Sequence, residues 1–361
     1  MSTAIAAPWY PIIYVRGYAA TMGEIEATTA DPYMGFNIGS TMVRQNAAKD
    51  VVRFIFESPL VRLMKDHGYV DAFHNGGNDH DPGTVPAKSV WVYRYYEPVS
   101  KSLGEGKRLT MEEFAEGLRE FILQVRDAVC GGDAAARKAF KVHLVAHSMG
   151  GLICRAYLQN TCRHGTGDAK RDTVLELSAG APSDPMVDKV YTYGTPHNGI
   201  DFGPMNAPNL GPLDQMHVSN FNRKRMREYL RLPKDAPANS LDGAFPVQRF
   251  FCFIGSNHRD YDAFYGVSKY AAGSMSDGLV KIENAYVQGT PRALAYRSHS
   301  GPYGLVNSEA GYQNLRRFLF GSVRVTVTLE VDELLLPKAV QEQKDAGRQV
   351  RGSYHIDVSS Q

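Results

Sequence analysis

Long hydrophobic runs are missing from this chain of 361 residues. No apolar stretch approaches the roughly 18 residues that span a bilayer, so no transmembrane segment is expected. Charge of one sign is missing too: forty basic residues face thirty-eight acidic ones, a formal net charge of +2. That balance is too even to draw in a nucleic acid or an anionic membrane by electrostatics. Cysteine is scarce. The four present, Cys130, Cys154, Cys162 and Cys252, lack metal-ligand spacing, and a chain of this length needs no disulfide framework. The start, "MSTAIAAPWYPIIYV", has no Lys or Arg before its first apolar stretch and no long apolar core, which does not look like a secretory signal. Free thiols in a cytoplasmic protein are therefore expected. No internal repeat is found. With 43% hydrophobic and 22% charged residues, the composition is that of a globular protein, and the expected partner is a small molecule.

What the chain does have is a regular alternation. "PIIYV" at 11–15, "SVWVYRYY" at 89–96, "KVHLVAH" at 141–147, "KVYTYG" at 189–194, "VQRFFCFIG" at 247–255 and "RALAYRS" at 292–298 are rich in β-branched and aromatic residues and read as strands. Between the second and third, Thr110 with Glu113 forms a capping-box pattern. Phe114, Leu118, Phe121, Ile122, Val125 and Val129 follow it at helical spacing until Gly131. Tyr312, Leu315, Phe318 and Leu319 repeat that spacing before Gly321. Strands that are apolar throughout, alternating with helices, predict an α/β fold with a mostly parallel central sheet flanked by helices.

Three stretches break the alternation. Residues 19–88 form a Gly- and Pro-rich insertion with one amphipathic segment near Val51 to Met64. Residues 201–245 hold Met205, Leu210, Leu213, Met216, Phe221, Met226, Tyr229 and Leu230 among Pro, Asn and Arg, which suggests a helical cap over something apolar. In residues 322–361, "VRVTVTLEV" alternates like a half-exposed strand, and "GSYHIDVSS" after a charged link is positioned to pair with it as a hairpin. The expected organisation is a main domain over 1–321 and a short C-terminal β extension.

The join between the third strand and its helix, "AHSMG", places Ser148 between two small residues, Ala146 and Gly150. A sharp strand-to-helix turn needs small neighbours and presents its central side chain at the carboxyl edge of a sheet, beside a helix amino terminus. A serine that merely caps a helix is the plainer reading of the same residues. As a nucleophile, the hydroxyl requires a base and a carboxylate to orient that base. In this architecture they follow the serine in the order acid, then histidine. "SMSDGLV" supplies Asp277 after the fifth strand, and "YRSHSG" supplies His299 after the sixth.

With "HSMGG", "YGTPHNG" at 193–199, "SDGLV" at 276–280 and "SHSG" at 298–301 in that order, residues 8–320 resemble an α/β-hydrolase of the lipase and esterase type. The resemblance implies Ser148 as nucleophile, Asp277 as acid and His299 as general base. It also implies an oxyanion hole made by the backbone N–H groups of Met149 and Tyr18. Two departures stand out: Ala146 replaces the usual first Gly, and Arg16 stands where such enzymes commonly carry His before Gly.

The implied activity is hydrolysis of carboxylic esters through an acyl-enzyme, without cofactor or metal, on a small-molecule ester with a hydrophobic acyl or alkyl part. Met216, Phe221, Met226 and Leu230 are the expected pocket residues, with packing of the cap onto the core as the alternative. Acyl transfer to an alcohol or amine, amide cleavage, and a non-catalytic binding protein on the same fold stay open. His147 is expected to pack rather than react, because neighbours on a strand face opposite ways. His197 and His258 lie in loops suited to substrate contact, and Asp260 and Asp262 compete with Asp277 as the acid. His74, Asp79, His80 and Asp81 are metal-ligand types, for which a solvated polar loop is a sufficient account.

Overall fold

The apolar stretches become neighbours in one sheet. In chain order the strands are β1 (Ile12–Val15), β2 (Ser40–Gln45), β3 (Val51–Phe56), β4 (Val70–Asp71), β5 (Ser89–Tyr93), β6 (Val142–His147), β7 (Val187–Tyr193), β8 (Phe250–Gly255) and β9 (Arg292–Ala295). The computed structural model describes residues 5–19, 22–45, 49–73, 77–107, 109–178, 180–200, 219–261, 275–323, 330, 332–333 and 335–348. Seven strands form a sheet in the order β4-β5-β1-β6-β7-β8-β9, and every pairing in it is parallel. β1, β5 and all but the last residue of β6 are buried throughout, as strands covered on both faces must be. The edge strand β9 instead alternates exposed and half-buried positions.

The order fixes where a site can form. After β1 the chain builds β4 and β5 on one side, then crosses to build β6, β7, β8 and β9 on the other. Neighbouring β1 and β6 thus flank the point where the winding direction changes, and ligands of open parallel sheets bind beyond the carboxyl ends of such strands. Val15 pairs with Ala146, His147 with Tyr193, and Gly255 with Ala295. The segments starting at Arg16, Ser148 and Gly194 therefore leave the same edge.

Local chemistry sets the flanking helices. The helix Met111–Cys130 opens on a reciprocal capping box between Thr110 and Glu113, buries all six of the periodic residues named above, and ends at Gly131. The helix Glu309–Phe320 buries Tyr312, Leu315 and Leu319.

The insertion differs from expectation. The apolar stretch at 51–64 is not one segment, because Pro59 cannot sit inside a helix. The chain splits there into β3 and the helix Pro59–His67, whose first turn is capped by Ser58 Oγ accepting from the Val61 N–H at 3.0 Å. β2 and β3 form an antiparallel hairpin apart from the main sheet, and the helix Met22–Ala30 precedes them. Of the cap, the described residues 219–245 hold one helix, Arg223–Tyr229. Met205, Leu210, Leu213 and Met216 lie outside the described residues.

By contacts the chain divides into two units, Met1–Gly321 and Ser322–Gln361. Within the second, the charged link forms a helix over Lys338–Asp345. The two stretches expected to pair as a hairpin fall almost wholly outside the described residues. Among the described residues no helix is long and apolar enough to cross a membrane, and all four cysteines are free and buried.

Candidate active site

β6 ends at His147 and a helix begins at Met149, so Ser148 alone turns the chain. Its backbone stands at φ 52°, ψ −124°, a conformation that costs a non-glycine residue about 1–3 kcal/mol and persists only where the surroundings enforce it. The enforcement is visible. The Ser148 N–H donates to the Tyr193 carbonyl at 2.9 Å, and the Ser148 carbonyl accepts from Thr195 Oγ1 at 2.8 Å and from the Gly151 N–H at 3.1 Å. Glycine is required nearby: a Cβ on Gly150 would stand 2.2 Å from the Val15 carbonyl oxygen. Ala146, in place of the first glycine, is fully buried.

Beyond β8 and β9 the chain delivers two more polar groups to this turn. His299 Nε2 lies 2.9 Å from Ser148 Oγ, and His299 Nδ1 lies 2.8 Å from Asp277 Oδ2. Asp277 Oδ1 accepts from the Leu279 N–H at 3.0 Å and the Val280 N–H at 2.7 Å. A carboxylate that only accepts fixes the tautomer: the proton sits on Nδ1, and the Nε2 lone pair faces the serine. The His299 N–H also donates to the Asp277 carbonyl at 2.9 Å, so the two are joined by main chain as well. Gly194, at φ 54°, allows the approach, since a Cβ there would come within 2.9 Å of Asp277 Oδ2 and 3.1 Å of His299 Nδ1. Ser148, Asp277 and His299 are 3%, 1% and 2% exposed, a setting in which fixed dipoles act at low effective dielectric.

Past β1, Arg16 and Gly17 run directly against the serine turn. A Cβ on Gly17 would lie 2.7 Å from Ser148 Cβ and 3.0 Å from His147 Nδ1. Glycine is thus the residue that lets Tyr18 follow at the edge beside Ser148. Met149, in the first turn of its helix, has a backbone N–H without an intrahelical partner. Arg16 donates from Nη1 to the Met34 carbonyl, which ties it to the insertion.

The remaining candidates separate by their contacts. His147 Nε2 donates to the His299 carbonyl at 2.9 Å, and burial pushes its pKa down to about 3, so it stays neutral. It supports the main chain of His299. His197 is fully buried, bonds to Thr192 Oγ1 at 3.1 Å and packs its ring edge-on against Phe250; among the described residues its ring makes no hydrogen bond to Ser148, Asp277 or His299. Asp260 forms a two-pronged pair with Arg44, at 2.7 and 2.6 Å. His258 is half-buried in the loop after β8, and Asp262 lies outside the described residues. Phe221, Met226 and Leu230 are all buried in the core cluster. Phe221 packs its ring edge-on against Tyr18, at 5.8 Å between centroids.

His80 bonds to the Ala72 carbonyl and packs on Trp91, while His74 is outside the described residues. No grouping of three or more metal-ligand side chains occurs among the described residues. Sequence reasoning did not foresee the part played by Thr195 on the serine carbonyl. Its only signal was the position of "YGTP" at the end of a strand adjacent to β6.

The seven-stranded parallel order, with a strained serine just past a central strand and a hydrogen-bonded histidine and aspartate past later strands, is that of an α/β-hydrolase fold. Neither the protein-family models nor the curated proteins give a match to the sequence. Among solved structures the chain is similar to Bacillus licheniformis lipase BlEst2 in mature form, at 13% identity over 89% of this chain and 96% of that one, TM-score 0.43. It is similar to phospholipase PlaB from Legionella pneumophila, at 15% identity over 86% and 58%, TM-score 0.44. It is also similar to Staphylococcus hyicus lipase, at 14% identity over 88% and 96%, TM-score 0.41.

Proposed function

We propose that the protein hydrolyses carboxylic esters by way of an acyl-enzyme on Ser148. The observation that carries this reading is the continuous line from Asp277 Oδ2 through His299 to Ser148 Oγ, with steps of 2.8 and 2.9 Å. His299 Nε2 takes the hydroxyl proton as Oγ attacks the ester carbonyl. Asp277 holds the ring and stabilises the imidazolium that forms. The carbonyl oxygen becomes an oxyanion and is met by the N–H groups of Met149 and Tyr18, preorganised donors in a largely closed site. His299 then returns the proton to the leaving alcohol, and water, activated by the same nitrogen, releases the acid.

The aromatic Tyr18–Phe221 contact supports a substrate with a hydrophobic acyl or alkyl part. In this reading Phe221 borders the pocket. Met226 and Leu230, at 0% and 1% exposure, pack the cap onto the core instead. His197 supports its loop and makes no substrate contact.

The test is turnover of p-nitrophenyl acetate, butyrate and octanoate, with and without an added primary alcohol. The expected result is release of p-nitrophenol that disappears in Ser148→Ala, with free acid as the product. Equal rates for wild type and Ser148→Ala would remove the reading. An ester of the added alcohol as the main product would redirect it to acyl transfer.

A further inference from the structure

Two adjacent tyrosines just past β5 reach the segment that carries Tyr18. Tyr95 Oη donates to the Arg16 carbonyl at 2.9 Å and reaches the Gly17 carbonyl at 3.1 Å. The Ala19 N–H donates to Tyr96 Oη at 2.9 Å. The two rings lie 4.3 Å apart, and Tyr95 packs edge-on against Phe114 at 4.8 Å. With exposures of 2% and 0% they are closed off from water.

Peptide geometry gives these contacts a consequence. The Gly17 carbonyl and the Tyr18 N–H belong to one trans peptide plane, in which they point in opposite directions. A hydroxyl that holds the Gly17 oxygen therefore aims the Tyr18 N–H to the other side. The next peptide plane, between Tyr18 and Ala19, is held by Tyr96 through the Ala19 N–H. On its remaining side Gly17 is stopped by Ser148 Cβ, which would lie 2.7 Å from any Cβ it carried. The segment between β1 and the insertion thus has both of its central peptide planes tied to one rigid aromatic pair. Burial pushes the Tyr96 hydroxyl up to about 12 and raises that of Tyr95 further, so both stay protonated at any working pH.

We infer that Tyr95 and Tyr96 are positioning residues for the oxyanion hole, orienting the Tyr18 N–H toward the oxygen that becomes negative during attack by Ser148. This rests on the ester-hydrolase reading above. The pair touches neither Ser148 nor His299 by hydrogen bond; it acts through the backbone of residues 16–19. Tyr93, two residues earlier on β5, is a matched control: its hydroxyl is also buried but donates to the Phe114 carbonyl at 2.9 Å, away from that segment.

The experiment compares Tyr95→Phe, Tyr96→Phe and Tyr93→Phe, which all keep the ring and delete one hydroxyl. The readouts are kcat and KM on a p-nitrophenyl ester, inhibition by a trifluoromethyl ketone, the pH–rate profile, and melting temperature. Tyr95→Phe is expected to lower kcat by about 10- to 100-fold with KM within about threefold, less than deletion of a donor outright. Affinity for the ketone, whose adduct carries an oxyanion, should fall in step, while the acid limb of the profile stays in place because His299 is untouched. Tyr93→Phe should lower the melting temperature comparably yet keep kcat within about twofold.

The inference is overturned if folded Tyr95→Phe and Tyr96→Phe keep wild-type kcat and ketone affinity. It is also overturned if Tyr93→Phe loses as much kcat as they do. Should Tyr95→Phe not fold, Tyr96→Phe carries the test through the Ala19 N–H; if neither folds, the pair is core and the inference fails. A wild-type protein without turnover, whose Ser148 resists a fluorophosphonate, removes the hydrolase reading itself. Turnover that is lost only in Ser148→Ala keeps that reading, and the tyrosine variants then bear on positioning alone.

Discussion

Ser148→Ala deletes one oxygen from a turn held by main-chain bonds and the Thr195 hydroxyl. The fold should survive while ester turnover falls by about 10⁴-fold or more, and His299→Ala should do nearly the same because the groups act as a unit. Asp277→Asn tests the acid: an amide presents N–H groups where a carboxylate only accepts, which favours the wrong histidine tautomer and should cost up to about 10⁴ in kcat. Asp260→Asn is the contrast. Asp260 pairs with Arg44, whose side chain is 37% exposed, so the change should cost about 1 kcal/mol of stability at most and leave kcat within about tenfold. Steady-state kinetics on these four variants checks the ranking; a crippled Asp260→Asn beside an active Asp277→Asn would reassign the acid. Ser148, Asp277 and His299 could be picked out as candidates because each stands inside a recognisable short motif, Ser148 directly after β6 and the other two in the loops that follow β8 and β9. Thr195 was not, since its hydroxyl meets the Ser148 carbonyl only through the β6–β7 pairing, which brings His147 opposite Tyr193.

Elements that bury both faces write themselves into the sequence as largely apolar runs, which is why β1, β5, β6, β8 and the buried second half of β7, from Val190, were readable. β2, with three exposed positions in six, carries no such run, and its partner β3 was merged with the following helix until Pro59 separated them. The cap segment tests packing against lining. Met226 is wholly buried beneath Gly199 and the core, so Met226→Ala should cost about 2–5 kcal/mol and lower the melting temperature. The ratio of kcat/KM between butyrate and octanoate should stay fixed. Phe221→Ala, next to Tyr18, should shift that ratio. Calorimetry together with the two-ester comparison checks both, and a shifted ratio in Met226→Ala would put the methionine in the pocket.

The whole molecule carries its histidine chemistry in a form sensitive to acid. Burial lowers the pKa of His143 to about 4 and of His147 to about 3, and it depresses that of His197 further. In the unfolded chain a histidine titrates near about 6.5. Below that pH the unfolded state binds more protons than the folded one, so stability falls as pH drops, by about 1.4 kcal/mol per pH unit for each such histidine. The loss begins near pH 6.5 and, for His143, ends near pH 4, where the folded state protonates as well. Urea unfolding of Ser148→Ala at pH 7, 6 and 5 should show this slope, and His143→Gln should reduce it by about one proton. An unchanged slope would mean that His143 is charged in the folded state. The most direct measurement for the central claim is mass spectrometry of the intact protein after reaction with a fluorophosphonate, followed by peptide mapping. One adduct per chain is expected, on Ser148, formed fast in wild type and very slowly in His299→Ala. No adduct, or an adduct on a different hydroxyl, would contradict it.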